Sequence, residues 1–198
     1  MNKVLCSRGA LLGKAKDLGD ILMRIEHMKD DNNDSYSLAY IHVNSWRAAY
    51  KGIIPQEILD NMDIEKRKAY FDKVVKDKSE NNVIAFIDNV PAGFLTFGNC
   101  RDDDKDNSFG EIRGIYLLPE YWHQGIGSKL INWGINELKV MGFKNICLWV
   151  LDDNLQARNF YEKQGFVYEG TSKEIIIGKP LIELRYILQD YFEGVSIE

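Results

Sequence analysis

The stretch PEYWHQGIGSKLINW, Pro119 to Trp133, sets two glycines one residue apart, Gly125 and Gly127, directly ahead of a run with helical spacing. Glycine has no Cβ to hold an anion away, and the first amides of a helix lack partners inside it. A strand, this loop and a helix in succession therefore make a place for a phosphate. The same pair also suits a tight turn that binds nothing. A Walker A loop needs GxxxxGK followed by Ser or Thr, and Gly125-Ile126-Gly127-Ser128-Lys129 lacks that spacing. A dinucleotide fingerprint needs a third glycine where this chain has Leu130. A pyrophosphate over the amides of this loop is the reading that remains beside the bare turn.

The periodicity on either side supplies the elements. Leu22 to Ile25 reads as a short strand, and Asp34-Ser35 as the cap of a helix carrying Leu38, Ile41, His42, Ser45, Trp46 and Ala49 at three- and four-residue steps. Gly52 and Pro55 break it, and Gln56 to Val75 resumes helical spacing with a turn near Asp63. Val83–Ile87, the turn Asp88-Asn89 and Ala92–Phe97 form a hairpin, and Arg101 to Ser108 is a charged loop. Glu111 to Leu117 is a strand ending at Pro119. The helix after the glycines stops at Gly142, Asn145 to Leu151 is a strand, and Asn154 to Gly165 frames a short capped helix. Ile175–Ile177, a turn at Gly178–Pro180 and Ile182–Leu188 close the chain, giving a mixed α+β sheet with helices over it.

The 198 residues fit one domain. We read 1–20 as an extension without an assigned role, 21–190 as the domain and 191–198 as a tail. A net charge of −5 argues against a general nucleic-acid binder. The apolar runs fall far short of the roughly 20 residues of a membrane helix. Cys6, Cys100 and Cys147 sit in no metal spacing, and no secretory leader is evident. The expectation is a cytoplasmic protein with reduced thiols and no metal, no membrane and no nucleic-acid partner.

About thirty residues past the glycines stand Asn154, Ala157 and the run Phe160-Tyr161-Glu162-Lys163-Gln164-Gly165-Phe166. Together, Glu111 to Phe166 resembles the acetyl-CoA-binding half of the GCN5-related N-acetyltransferase (GNAT) superfamily, through its N-x-x-A and F-Y-x-x-x-G-F elements. SWRAAYKGIIP, Ser45 to Pro55, is similar to the first helix pair of many bacterial members, and the likeness extends over about residues 22–188. One departure is Trp122, where the family's [Arg/Gln]-x-x-Gly-x-[Gly/Ala] signature begins.

The resemblance implies a GNAT fold, α+β in α/β/α layers, whose mixed central sheet splays between the two strands that hold acetyl-CoA. It implies that Ile115, Tyr116 and Leu117 pair with the pantetheine. His123, Gln124, Gly125, Ile126, Gly127 and Ser128 then meet the pyrophosphate, and Asn154 and Ala157 face the cofactor. Asn154 also reads as a plain helix cap. Acetyl transfer needs a neutral amine, yet an amine of pKa about 10.4 is only about 0.04% neutral at pH 7, so a base helps. Glu111 matches the family's carboxylate for that step, with His42 and His123 as substitutes. The Leu117 amide would stabilise the oxyanion. Tyr161 matches the general acid that protonates the thiolate, or else is a core aromatic. Trp46 and Tyr50, four apart on one helix face, line the acceptor pocket or belong to the core. The acidic run Asp102–Asp106 attracts a cationic amine or is merely solvated. The implied activity is transfer from acetyl-CoA to a primary amine in a ternary complex. The acceptor is a small molecule or a peptide N-terminus, and the alternative is a non-catalytic acyl-CoA sensor. Members are frequently dimers, so a homodimer is among the expectations.

Overall fold

A computed structural model describes residues 22–78 and 80–189. The expected extension 1–20 and tail 191–198 lie outside the described residues. Strand β1 (Met23–His27) leads to helix α1 (Asn32–Ala49), whose N-cap, Asp31, lies three residues before the expected Asp34. Asp31 receives the Asp34 N–H at 2.8 Å, while the Asp34 carboxylate receives that of Lys29. Helices α2 (Gln56–Asp60) and α3 (Ile64–Asp77) flank the expected turn, where Asp63 caps α3 by accepting from the Lys66 amide. Strands β2 (Asn81–Ile87) and β3 (Val90–Asn99) form the hairpin, and Asp88 and Asn89 take φ of 48° and 68°, as a two-residue primed turn requires.

Strand β4 (Phe109–Leu117), helix α4 (Ile126–Val140), strand β5 (Asn145–Leu151) and helix α5 (Leu155–Lys163) follow, then β6 (Val167–Ile176) and β7 (Pro180–Gln189). The sheet order is β1-β2-β3-β4-β5-β7-β6, antiparallel throughout except for β4 beside β5. β6 is longer than its sequence suggests. Its first eight residues, VYEGTSKE, lie on an exposed edge and so carry no apolar alternation to read.

β4 and β5 pair only over Phe109–Glu111 and Asn145–Cys147. Beyond that point β4 stays with β3 as far as Leu117, and β5 stays with β7 as far as Leu151. A wedge therefore opens between them, as the resemblance implied. A bulge gives β4 its direction: Thr96 faces Gly114 while Phe97 faces Ile112, so Arg113 is the extra residue, and bulged strands bend and twist more strongly.

Side chains alternate across the sheet to fill two layers. Val83, Leu95, Ile112 and Leu148 pack with Leu130, Ile131 and Leu138 of α4 and with Tyr161 beside Phe166. On the other face Ile84 and Phe94 pack with Leu38 and Ile41 of α1 and Phe71 of α3. Each such buried side chain contributes about 1.5–3 kcal/mol.

The acidic run 102–106 does not stand free in solvent. Arg185 of β7, only 3% exposed, donates to Asp102 at 2.9 Å and to both oxygens of Asp104 at 2.7 and 2.5 Å, and pairs with Glu169. The Trp149 indole N–H also reaches Asp102, at 3.0 Å. The loop is strapped onto the sheet through Asp102 and Asp104, while Asp103 and Asp106 stay exposed.

Replacing Arg185 by Met should cost roughly 3 kcal/mol in urea unfolding, because half-buried carboxylates then lose their partner. The Arg185 guanidinium holds Asp104 down to about 2, below its unfolded value of about 3.9. That contribution is complete above about pH 4 and fades as the pH falls toward about 2. The Arg185→Met protein should lack this part of the acid dependence.

Candidate active site

A cavity of about 520 Å³ runs through the wedge. One half is bounded by Leu117, the 121–128 loop and α5; the other by α1, Trp149 and Glu183. Its loop end owes its character to the start of α4. Helices α1, α3 and α5 are capped by the side chains of Asp31, Asp63 and Asn154, whereas Gly125 gives α4 no side-chain cap. The first-turn amides of a fifteen-residue helix are thus left without side-chain partners, at its positive end. Gly125 turns the chain there with φ 76°.

Trp122, the departure from the signature, has a role in this loop. Its indole N–H donates to the Leu117 carbonyl at 2.8 Å, tying the loop to the end of β4. Of the expected loop residues, His123, Gly125, Gly127 and Ser128 line the cavity. The Gln124 side chain instead donates to the Glu120 carbonyl at 2.6 Å, and Ile126 is buried in the core. Ile115, Tyr116 and Leu117 line the cavity along β4, the strand whose flank β5 has left.

Asn154 combines both of its readings. Its Oδ1 accepts from the Ala157 amide at 3.1 Å, and both residues line the cavity. Tyr161, also in the lining, is buried against Phe166, and burial, then the neighbouring Tyr116, pushes its phenol above the ordinary range. Burial likewise raises Tyr50, with Tyr116, Tyr161 and Glu183 adding to the rise and a hydrogen bond from Asn154 opposing it. Trp46 and Tyr50 meet edge to face at 4.8 Å, and both line the cavity while packing on Ile54 and Leu59.

Glu111 lies apart from this lining. It is 2% exposed, at the last paired residue before the wedge, and Arg101 engages both its oxygens, Nη2 at 2.6 Å and Nε at 2.8 Å. The carboxylate that does line the cavity is Glu183 of β7, 3.5 Å from the Lys173 ammonium, which also sits 3.7 Å above the Trp149 ring. Glu183 was not singled out in the sequence. It is one polar residue in a strand, and only long-range pairing brings it here. The same folding gathers the thiols of Cys100 and Cys147, 3.2 Å apart, with Asp102. Burial, then the neighbouring thiol, pushes Cys147 up, and Asp102 is also bonded by Arg185.

A sequence model of the acetyltransferase (GNAT) family matches residues 26–166. The chain belongs to the GNAT family. Among its GNAT relatives, the uncharacterized N-acetyltransferase YuaI of Bacillus subtilis is 32% identical over 133 residues, 66% of this chain and 70% of that protein. The spermidine N(1)-acetyltransferase of Thermoplasma acidophilum is 28% identical over 154 residues, 75% of this chain and 92% of that protein. The crystal structure of the PaiA N-acetyltransferase of T. acidophilum, solved in complex with coenzyme A, superposes with a TM-score of 0.64. It is 25% identical, covering 84% of this chain and 99% of that one. The mixed sheet and wedge are those of a GNAT fold. Among the described residues, no helix is long and apolar enough to cross a membrane.

The left-handed φ at Gly125 gives a clean test, because an added Cβ there would meet nothing within 4 Å. Gly125→Ala should therefore lose about 1–2 kcal/mol from backbone strain alone, read as a lower denaturant midpoint with an unchanged slope.

Proposed function

We propose that the protein transfers the acetyl group of acetyl-CoA to a primary amine by direct attack in a ternary complex. The observation that carries this reading is the one cavity that joins an uncapped helix start to a carboxylate and aromatic chamber through the parted strands. Pyrophosphate oxygens take the α4 amides, and the pantetheine takes the flank of Ile115–Leu117 together with Asn154. The thioester then lies between Leu117 and Tyr161, and the amine enters past Trp46 and Tyr50. The relative named for spermidine supports a small amine over a peptide N-terminus.

Glu183 is the carboxylate best placed to hold the incoming ammonium and relay its proton to water, since Arg101 occupies both oxygens of Glu111. Attack forms the C–N bond and an oxyanion, to which the Leu117 amide donates. As the C–S bond breaks, Tyr161 donates its proton to the sulfur. Its raised pKa means that tyrosinate does not accumulate, and the proton released by the amine restores it.

The test is acetyl-CoA-dependent thiol release over a panel of amines, amino acids and short peptides. If no acceptor reacts while acetyl-CoA raises the melting temperature, the sensor reading replaces this one. Tyr161→Phe should lower kcat by about 100-fold or more while leaving acetyl-CoA affinity unchanged; equal turnover would remove the assigned acid. In wild type, kcat/KM should rise with pH as the amine is deprotonated. No downturn near pH 10 is expected, because Tyr161 holds its proton beyond the usual tyrosine range of about 10.

A further inference from the structure

A second, smaller cavity of about 150 Å³ lies under α1 and α3, lined by His42, Arg67, Tyr70, Glu80, Arg101 and Arg113 among others. Tyr116 and Arg113 line both cavities, so the small one adjoins the acceptor half of the large one. Its charges do not balance. Arg101 is matched by Glu111 at 2.6 Å, and Arg113 by Glu80 at 3.5 Å. Arg67 rests on the faces of Tyr70 and Phe71, with no carboxylate in ion-pair contact among the described residues. One guanidinium charge is left in excess.

The hydrogen bonds tell the same story. Nη2 of Arg67 contacts Nε2 of His42, and because a guanidinium only donates, that nitrogen must be the acceptor. His42, 3% exposed, is neutral, since burial and then the Arg67 charge drive it down to about 2. The ring proton therefore sits on Nδ1. Nδ1 of His42 and Nε of Arg67 are both buried without a hydrogen-bond partner. The unpartnered Arg67 donor, on a residue lining this small cavity and carrying an uncompensated positive charge, calls for an acceptor that is also an anion. At ~30 Å³ per water, the volume exceeds what two oxygens need. A carboxylate supplies the acceptor and the charge, and matches the guanidinium fork.

We propose that this cavity is a carboxylate subsite, in which Arg67, braced by its contact with His42, holds the acid group of an acceptor whose amine lies in the main cavity. The acceptor is then a small amino-carboxylate rather than a polyamine. This rests on the acetyltransfer reading, and the carboxylate could also be a free one, so the test separates these cases.

Thiol release is measured for β-alanine and γ-aminobutyrate beside ethylamine and propylamine, the amines left when their carboxylates are removed, and for L-alanine and putrescine. The carboxylated members should have the higher kcat/KM. Arg67→Met should lower the ratio of carboxylated to plain amine by about 10- to 100-fold, mostly through KM. Arg67→Lys, which keeps the charge without the fork, should fall between. An unchanged ratio, or a preference for putrescine in wild type, overturns the proposal. Thermal shift with butyrate needs no turnover. If no amine is acetylated yet butyrate stabilises wild type and not Arg67→Met, the subsite stands and the transfer reading fails. If butyrate behaves so while the acceptor ratio is unchanged, the site holds a free carboxylate and its assignment to the acceptor is overturned. No stabilisation by butyrate in a protein that also shows no carboxylate preference removes the subsite itself.

Discussion

The parallel contact between β4 and β5 ends after three residue pairs, and the rest of the molecule is organised around that parting. A parallel pair that ran on would bury its own amides and leave no passage between the two faces of the sheet. Here the bulge at Arg113 bends β4 while its ladder with β3 continues, and β5 remains committed to β7. One strand flank is thereby exposed to a ligand at the point where α4 begins without a side-chain cap. Trp122 fixes the loop between these two features by its bond to Leu117. The passage and its opening at the start of α4 thus follow from one break in pairing.

Electrostatics on the far side of the sheet is organised by arginines. Arg185 binds the 102–106 loop to the half of the sheet that α1 and α3 do not cover, and Arg101 binds the start of the same loop to Glu111. These pairs engage Asp102, Asp104 and Glu111. What is left facing the cavity is Glu183 on one side, and next to it the unbalanced Arg67. A chamber with one acid and a neighbouring pocket with one spare base has opposite charges at its two ends, which suits a ligand carrying both an amine and an acid.

Much of this was legible in the sequence where the signal is local. Asn154 and Gly165 bracket α5 as cap and left-handed stop, Asp63 splits α2 from α3, and Asp88-Asn89 marks the hairpin. The glycine pair and the F-Y-x-x-x-G-F run pointed to the fold because they serve backbone turns and one packing layer. The features that were not legible depend on contacts across many residues. The polar edge stretch of β6 has no periodicity, and the insertion of β7 between β5 and β6 leaves no mark on either. The Asp102–Asp106 run reads as a solvated loop until Arg185, more than eighty residues away, is placed against it. Glu183, the thiol pair and the Arg67–His42 contact likewise come from the topology, not from spacing along the chain.

Amide hydrogen exchange of the full chain, with and without saturating acetyl-CoA, tests most directly whether the parted strands hold the cofactor. The account predicts added protection in two places, at 115–117 along the freed flank of β4 and at 126–128 in the first turn of α4. The outer strands β1 and β6 should exchange as before. Protection confined to other segments, or none at a concentration that raises the melting temperature, would contradict it.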